Sequence, residues 1–278
     1  MKLGLALPYN QTVNFVQWAQ LAEGHGWDGL FLGDAIWCED PMIALAAAAV
    51  VTNRIRLGVI VIPVPLRRPW KLASEAVALD HLSAGRLILG LATGAVWMGW
   101  QSFPDEVSDD KTRREMLDET IDILTLLFQS KQFDYDGHQY HVKLTLLNEI
   151  YYPPKPVQLP RIPLWTPAIW PSGKSMQRAL KCDGVILEKK SQPGEIEEIM
   201  PGDVQEAQEY IAANQPGSTP YDIVVIGKSF DLDRSQQQDK VKQYKEAGAT
   251  WWIEALWEAT TETVAGYIQH RPPFKNAR

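Results

Sequence analysis

The sequence predicts an α/β fold, a (β/α)8 barrel in a single domain spanning residues 1–278, on three observations. Two apolar runs of strand length share one layout: Arg54-Ile55-Arg56-Leu57-Gly58-Val59-Ile60-Val61-Ile62-Pro63, and Ser83-Ala84-Gly85-Arg86-Leu87-Ile88-Leu89-Gly90-Leu91-Ala92-Thr93-Gly94. Between them, Pro69 to Leu82 carries Leu72, Ala76 and Leu79 at helical spacing. Continuous apolar strands are buried on both faces, so the three pieces read as a parallel βαβ unit. The unit then recurs until eight strands alternate with eight helices, and right-handed crossovers close such a series into a barrel. A doubly wound open sheet is the alternative, because periodicity does not prove closure.

In chain order, the strand at 2–7 is Leu3-Gly4-Leu5-Ala6-Leu7 with its flanks, and a helix follows at 13–25. A strand at 29–33 precedes a helix at 40–51, where Asp40-Pro41 sets an N-cap before a first-turn proline. Strand 56–62 leads to helix 69–82, and strand 87–92 to helix 112–130. The second half repeats the rhythm with strands at 162–167, 184–188, 222–227 and 250–255 and helices at 172–181, 203–214, 235–247 and 258–270. Gly248 marks the end of the seventh helix. The segment 131–161 interrupts the alternation as an excursion before the fifth barrel strand. Asp136-Gly137 between alternating aromatics reads as a hairpin, and Tyr152-Pro153-Pro154-Lys155-Pro156 cannot be helical.

Composition narrows the function. The chain has 278 residues, 45% of them hydrophobic, enough for a large core, and a formal charge of −7. That charge argues against a general nucleic-acid or anionic-membrane surface. No apolar run reaches the roughly 20 residues needed to span a bilayer. The N-terminus starts in a strand without a signal-peptide layout, and Cys38 and Cys182 give no disulfide framework, so a cytoplasmic location is expected. The five histidines show no pair spacing suited to a metal, and no nucleophile elbow, P-loop or GxGxxG is present.

Four stretches carry a resemblance. Gly26-Trp27-Asp28-Gly29-Leu30-Phe31-Leu32-Gly33-Asp34, Leu57-Gly58 through Pro69, Asp80-His81-Leu82-Ser83-Ala84-Gly85-Arg86-Leu87-Ile88-Leu89-Gly90, and Pro156-Val157-Gln158 followed by Pro163-Leu164-Trp165 and Ala179-Leu180-Lys181-Cys182-Asp183-Gly184-Val185 occur in this order. Together they resemble the bacterial luciferase-like flavin oxidoreductases over essentially the whole chain. The resemblance implies a TIM barrel binding FMN, or alternatively the deazaflavin F420, at the C-terminal ends of its strands. The chemistry would be hydride transfer or oxygen activation, carried by the cofactor and positioned by the protein. It also implies a small-molecule substrate, a flavin reductase supplying reduced cofactor, and a homodimer formed through helices near the second and third strands.

Candidate site residues lie on the βα loops, where barrels of this kind carry their sites. Ser172, Gly173 and Lys174 offer a hydroxyl, backbone N–H groups at a helix start and an ammonium, a set suited to a phosphate monoester. They fall where the resembled family binds the cofactor phosphate, although Trp170-Pro171 departs from its small-residue pattern. The alternative is an ordinary turn with a solvated lysine. Asp34 closes the second strand, where a carboxylate could bond substrate or ring, or merely local backbone; Trp37 could stack on a ring. Thr93, Gly94 and Ala95 leave the fourth strand as small residues that let a flat ring approach. Trp97 and Trp100 beyond them form either a wall or a self-packed loop. Ile60 and Val61 match the place where relatives carry a bulge or a non-prolyl cis peptide beneath the ring. Glu188 and Glu254 stand near strand ends, and Glu254 is a catalytic candidate only if it faces the barrel interior rather than the helix layer. Arg67 and Arg68 could clamp an anionic tail, and Cys38 is a reactive thiol only with a lowered pKa.

Two positions depart from the resembled family. Several relatives have a histidine after the second-strand acid, where this chain has Ala35, and F420-dependent sugar dehydrogenases have a glutamate where it has Ala95. The expected function is therefore a monooxygenase-type oxidoreductase using reduced FMN, or F420, on a small hydrophobic substrate. An F420-dependent dehydrogenase and a non-catalytic flavin-binding barrel are the alternatives.

Overall fold

A computed structural model describes residues 1–146, 155–189, 197–215, 220–270 and 272–273. Eight parallel strands close into a barrel: β1 (Lys2–Ala6), β2 (Gly29–Leu32), β3 (Arg56–Pro63), β4 (Leu87–Ala92), β7 (Leu164–Trp170), β8 (Gly184–Lys189), β9 (Asp222–Gly227) and β10 (Trp251–Ala255), in the cyclic order β1-β10-β9-β8-β7-β4-β3-β2. Around it run α1 (Thr12–His25), α2 (Pro41–Val51), α3 (Pro69–Leu82), α4 (Asp110–Leu127), α5 (Gly173–Ala179), α6 (Pro201–Asn214), α7 (Arg234–Glu246) and α8 (Thr261–Gln269). The open-sheet alternative is excluded, since β1 pairs with both β2 and β10.

Local chemistry sets the ends. Asp40 Oδ1 accepts from the Met42 amide ahead of Pro41, and Asp233 and Gln236 form a capping box on α7. Gly248 has φ +105°, the left-handed turn that ends α7. Most boundaries fall within three residues of expectation, and two of the differences have a plain local cause. Helix α8 begins at Thr261 rather than 258, because Thr260 caps it through the Thr263 amide. Strand β7 runs on to Trp170 despite Pro167. Its pairing with β4 ends at Trp165, so the edge on which Pro167 lacks a donor carries no ladder there. The expected hairpin is β5 (Asp134–Asp136) against β6 (His141–Lys143). Its tip is held by Glu119 of α4, which accepts from the amides of His138, Gln139 and Tyr140. Tyr152-Pro153-Pro154 lie outside the described residues.

The barrel interior is filled by aromatics. Phe31, Trp165 and Trp251 are fully buried with ring centroids 5.5 to 5.6 Å apart. Trp165 and Trp251 stand near the starts of β7 and β10, and Phe31 of β2 is level with Gly58 near the start of β3. Ala6, Ile60, Ile88, Ile186, Val224 and Ile253 complete the same cluster. Alternate strand residues such as Leu5, Leu30, Leu57, Leu89, Leu164 and Val185 face outward into a second cluster shared with the helices. A side chain on Gly4 or Gly58 would approach the Phe31 ring to 2.9 or 2.7 Å, so these strands must be bare where the ring lies.

The N-terminal face is tied by two buried ions. Arg86 gives all its guanidinium N–H groups to oxygens: Ser83 O, Thr52 Oγ1, Ile55 O, Ala49 O and Thr52 O, at 2.6 to 3.0 Å. Several of these carbonyls end α2, where a cation is favoured by the helix dipole. Asp80 accepts from the amides of Val157 and Gln158 and from Gln158 Nε2, pinning the Pro-rich segment under the barrel.

Replacing Gly4 by alanine is expected to lower the unfolding free energy by about 1–3 kcal/mol through overpacking against Phe31. In a Phe31→Leu background the same change should cost less than half as much. Urea titration of the four proteins checks this, and equal costs in both backgrounds would refute the fit described.

Candidate functional site

Strand periodicity places the open end of the barrel. Trp165 lies in the interior cluster while Leu164, Ala168 and Trp170 face the helices, so Pro167 and Ile169 point into the mouth. By the same alternation Gly90 and Ala92 follow Ile88, and Glu188 follows Ile186. Val61, Ile226 and Trp257 pack on the top of the interior cluster. Residues below this level are buried, whereas Val61, Ala92, Pro167, Ile226 and Trp257 are partly open and Ile169 and Glu188 exposed. The barrel is thus plugged below by rings and open above at its C-terminal end, with mainly apolar walls.

Ile60 and Val61 sit at the floor of this mouth. Val59 pairs with Leu89 and Ile62 with Leu91, so β3 carries one residue more than β4 between these points, a β-bulge. The Ile60-Val61 peptide bond is cis. Thr93, Gly94 and Ala95 leave β4 at the rim. Arg113 of α4 donates to the carbonyls of Thr93 and Gly94 at 2.9 and 2.8 Å, with Trp100 stacked beneath its guanidinium. A side chain on Gly94, at φ +82°, would meet the Trp100 ring at 2.6 Å. Trp100 is therefore a buried support of the loop rather than a wall of the site. Trp37 is 68% exposed and leans on Phe103 of that loop, with centroids 4.9 Å apart. Ser172, Gly173 and Lys174 are exposed at the start of α5, directly after β7.

The carboxylates separate sharply. Asp34 lies at the rim over the starts of α2 and α3. Burial pushes its carboxyl above the usual range, while Arg67 opposes this with contacts of 2.8 and 3.1 Å and also reaches Asp40 and Glu75. Arg67 is therefore committed to neighbouring acids rather than free to clamp a ligand. Burial raises the Cys38 thiol, with Asp34 and Glu39 adding to it, so the condition for thiol chemistry is not met.

Glu254 does not join the mouth. Its strand neighbours Trp251 and Ile253 face the interior, so it points into the helix layer with Trp252. There it accepts from the Ser229 amide and hydroxyl, the Phe230 amide, Trp252 Nε1 and the Tyr267 hydroxyl. Burial raises its carboxyl, and these donors work against that rise. The expectation of a catalytic Glu254 is corrected by this orientation. Glu188 is the acid that sequence reasoning named without assigning a role. It does face the mouth, a position legible in the spacing of Gly184, Ile186 and Glu188.

Trp257 Nε1 is buried without an acceptor, and Glu188 and Lys174 form no ion pair among the described residues. Comparison with known proteins agrees with this geometry. Residues 2–230 match the model of the luciferase-like monooxygenase family, and the chain belongs to that family. An uncharacterized protein of Mycobacterium tuberculosis is 29% identical over 234 residues, covering 83% of this chain and 74% of the relative. Among solved structures, the coenzyme F420-dependent tetrahydromethanopterin reductase of Methanopyrus kandleri superposes with TM-score 0.74 at 17% identity, covering 97% of this chain and 98% of the other. The FMN complex of the oxygenating constituent of 3,6-diketocamphane monooxygenase from Pseudomonas putida gives TM-score 0.65 at 16% identity, covering 100% and 82%. At these identities the likeness establishes the shared barrel.

Exchange of Glu254 for glutamine sets an amide N–H among donors and should cost about 1–3 kcal/mol of stability. Because the side chain lies outside the mouth, cofactor affinity at 10 °C should stay within about twofold of wild type, as ligand titration would show. A selective loss of binding without loss of stability would contradict the structural role.

Proposed function

We propose that this protein is a luciferase-like oxidoreductase of the monooxygenase type that holds FMN in the barrel mouth and acts on a small, mainly apolar organic substrate. F420 is the competing cofactor. The observation that carries the proposal is the mouth itself: apolar walls from Val61, Ala92, Pro167, Ile169 and Ile226 above an aromatic plug, with few open polar groups. Such concave, mainly apolar sites with sparse polar groups are where ring cofactors bind.

The residues divide the work by position. Ile60 and Val61 would form the floor under the ring, and Thr93, Gly94 and Ala95 its near edge, where small side chains permit close approach. Ser172, Gly173 and Lys174 would receive the phosphate, common to the tails of both cofactors, with Lys174 supplying charge and Ser172 a hydroxyl. Trp37 and Trp97, both exposed on facing rim loops, would shed water from the bound substrate. The cofactor, when bound, supplies hydride transfer or, in its reduced form, oxygen chemistry. With reduced FMN as the working form, a separate flavin reductase would deliver it.

The proposal includes a homodimer. Ile43 and Val50 on α2 are 67% and 64% exposed, one helical face apart by seven residues, with Trp70 open at the start of α3. An apolar stripe of this kind is the surface a second copy would cover.

Paired titration of the purified protein with FMN and with F420, read by absorbance and calorimetry, tests the reading. Micromolar binding of FMN and weaker binding of F420 is expected; the reverse order would reassign the cofactor, and binding of neither by folded protein would sink the oxidoreductase reading. Lys174→Ala should weaken FMN about tenfold, or about 1.4 kcal/mol, at unchanged melting temperature.

A further inference from the structure

Glu188 is a carboxylate on an apolar wall. It occupies the inward register at the C-terminal end of β8, paired across to Ile169, which faces the mouth from β7. Ile186 lies below it, and the walls around the mouth are Val61, Pro167, Ile226 and Trp257. The side chain is exposed to solvent at the mouth and yet has protein close around it. That surrounding raises its carboxyl above the usual range, with burial as the cause, and among the described residues no side chain bonds or pairs with it.

The contrast with its neighbours is what makes the position informative. The next residue, Lys189, points outward and pairs with Asp203 and Glu197. Asp34 at the rim is held by Arg67, and Glu254 by five donors in the helix layer. Glu188 alone among these acids makes no hydrogen bond or ion pair with any described residue. A molecule that fills the mouth strips the remaining water from this carboxylate. If that molecule is purely apolar, a charged group is left unpaired in an apolar site, which strongly disfavours binding. If it brings a donor, the carboxylate gains a charge-assisted hydrogen bond, among the stronger ones available.

We propose that Glu188 determines substrate class: the molecule accepted in the mouth has an apolar body bearing a hydroxyl or protonated amino group, and that group donates to the Glu188 carboxylate. The inference rests on the reading of the mouth as a cofactor and substrate site, and it narrows the substrate from apolar molecules in general to those with one donor. Sites built around a polar group reject analogues lacking its partner far more strongly than apolar pockets distinguish size.

The test uses holoprotein loaded with whichever of FMN or F420 binds, and three near-isosteric probes: benzylamine, benzyl alcohol and ethylbenzene. Binding is read from perturbation of the cofactor absorbance and by calorimetry in wild type, Glu188→Gln and Glu188→Leu. Wild type should bind benzylamine at least tenfold more tightly than ethylbenzene, with benzyl alcohol between. Glu188→Gln should lose at least tenfold for benzylamine and keep benzyl alcohol within about threefold. Glu188→Leu should reverse the order in favour of ethylbenzene, at unchanged cofactor affinity.

Several outcomes would overturn the inference: the same ranking of probes in wild type and Glu188→Leu, no binding of the donor-bearing probes to loaded wild type, or loss of cofactor from Glu188→Leu, which would assign the carboxylate to the cofactor instead. In each of these the cofactor still binds wild type, so the parent reading survives. Failure of wild type to bind either cofactor removes both.

Discussion

The packing of Phe31, Trp165 and Trp251 inside the barrel is the constraint on which the rest depends. Three large rings in the lower interior leave no room for side chains beside Phe31, so Gly29 of its own strand and Gly4 and Gly58 of the two flanking strands stand where the ring lies. The rings bury much apolar area at close to crystalline density, and they fix the side of the barrel that can receive a ligand. With the lower half solid, inward side chains become accessible only past Ile60, Ile88 and Ile186. The opening at the C-terminal end follows from the filling of the floor as much as from the loops that surround it.

Above that floor the electrostatics are organised by commitment. Charges near the rim are mostly spent on the scaffold: Arg67 joins the starts of α2 and α3 through Asp34, Asp40 and Glu75, and Arg113 fixes the exit of β4 by its carbonyls. Glu254 ties β10 to α8 and to the loop after β9. A buried acid with several donors is a fastening. Glu188 differs from it on both counts, standing exposed at the mouth without a bonding partner among the described residues.

The most recognisable run of the chain, Asp80 to Gly90, turns out to serve the opposite end of the molecule. Asp80 and Arg86 are buried ions whose partners are mainly backbone groups of α2, the Ile55 region and the Pro-rich segment, with the side chains of Thr52 and Gln158. Removing either would leave an uncompensated buried charge or several unpaired backbone groups, both costly. The run is recognisable in sequence and its ions hold the N-terminal face together, whereas the residues proposed to meet a cofactor are scattered over βα loops and leave a weaker trace.

Much of the architecture was legible in the sequence, because burial on both faces gives β-branched strands their apolar runs and helices their 3.6-residue spacing. Strand and helix positions, the Asp40 cap, the turn at Gly248 and the hairpin at Asp136-Gly137 all follow from local chemistry within a few residues. Local pattern also put Ile60 and Val61 on β3, Thr93 directly after β4 and Ser172 directly before α5, as the structure has them. What it did not settle was direction and partnership across the barrel. Glu188 and Glu254 look alike in sequence, each an acid at the end of an apolar strand. Only the register of β8 and β10 against their neighbours turned one into the mouth and the other into the helix layer, because a side chain's face is set by strand pairing and its charge state by groups distant in the chain. Closure of the sheet, the seating of Phe31 on glycines from three strands, and the capture of Arg67 by acids from two helices are likewise contacts between distant segments, and these the tertiary structure alone decided.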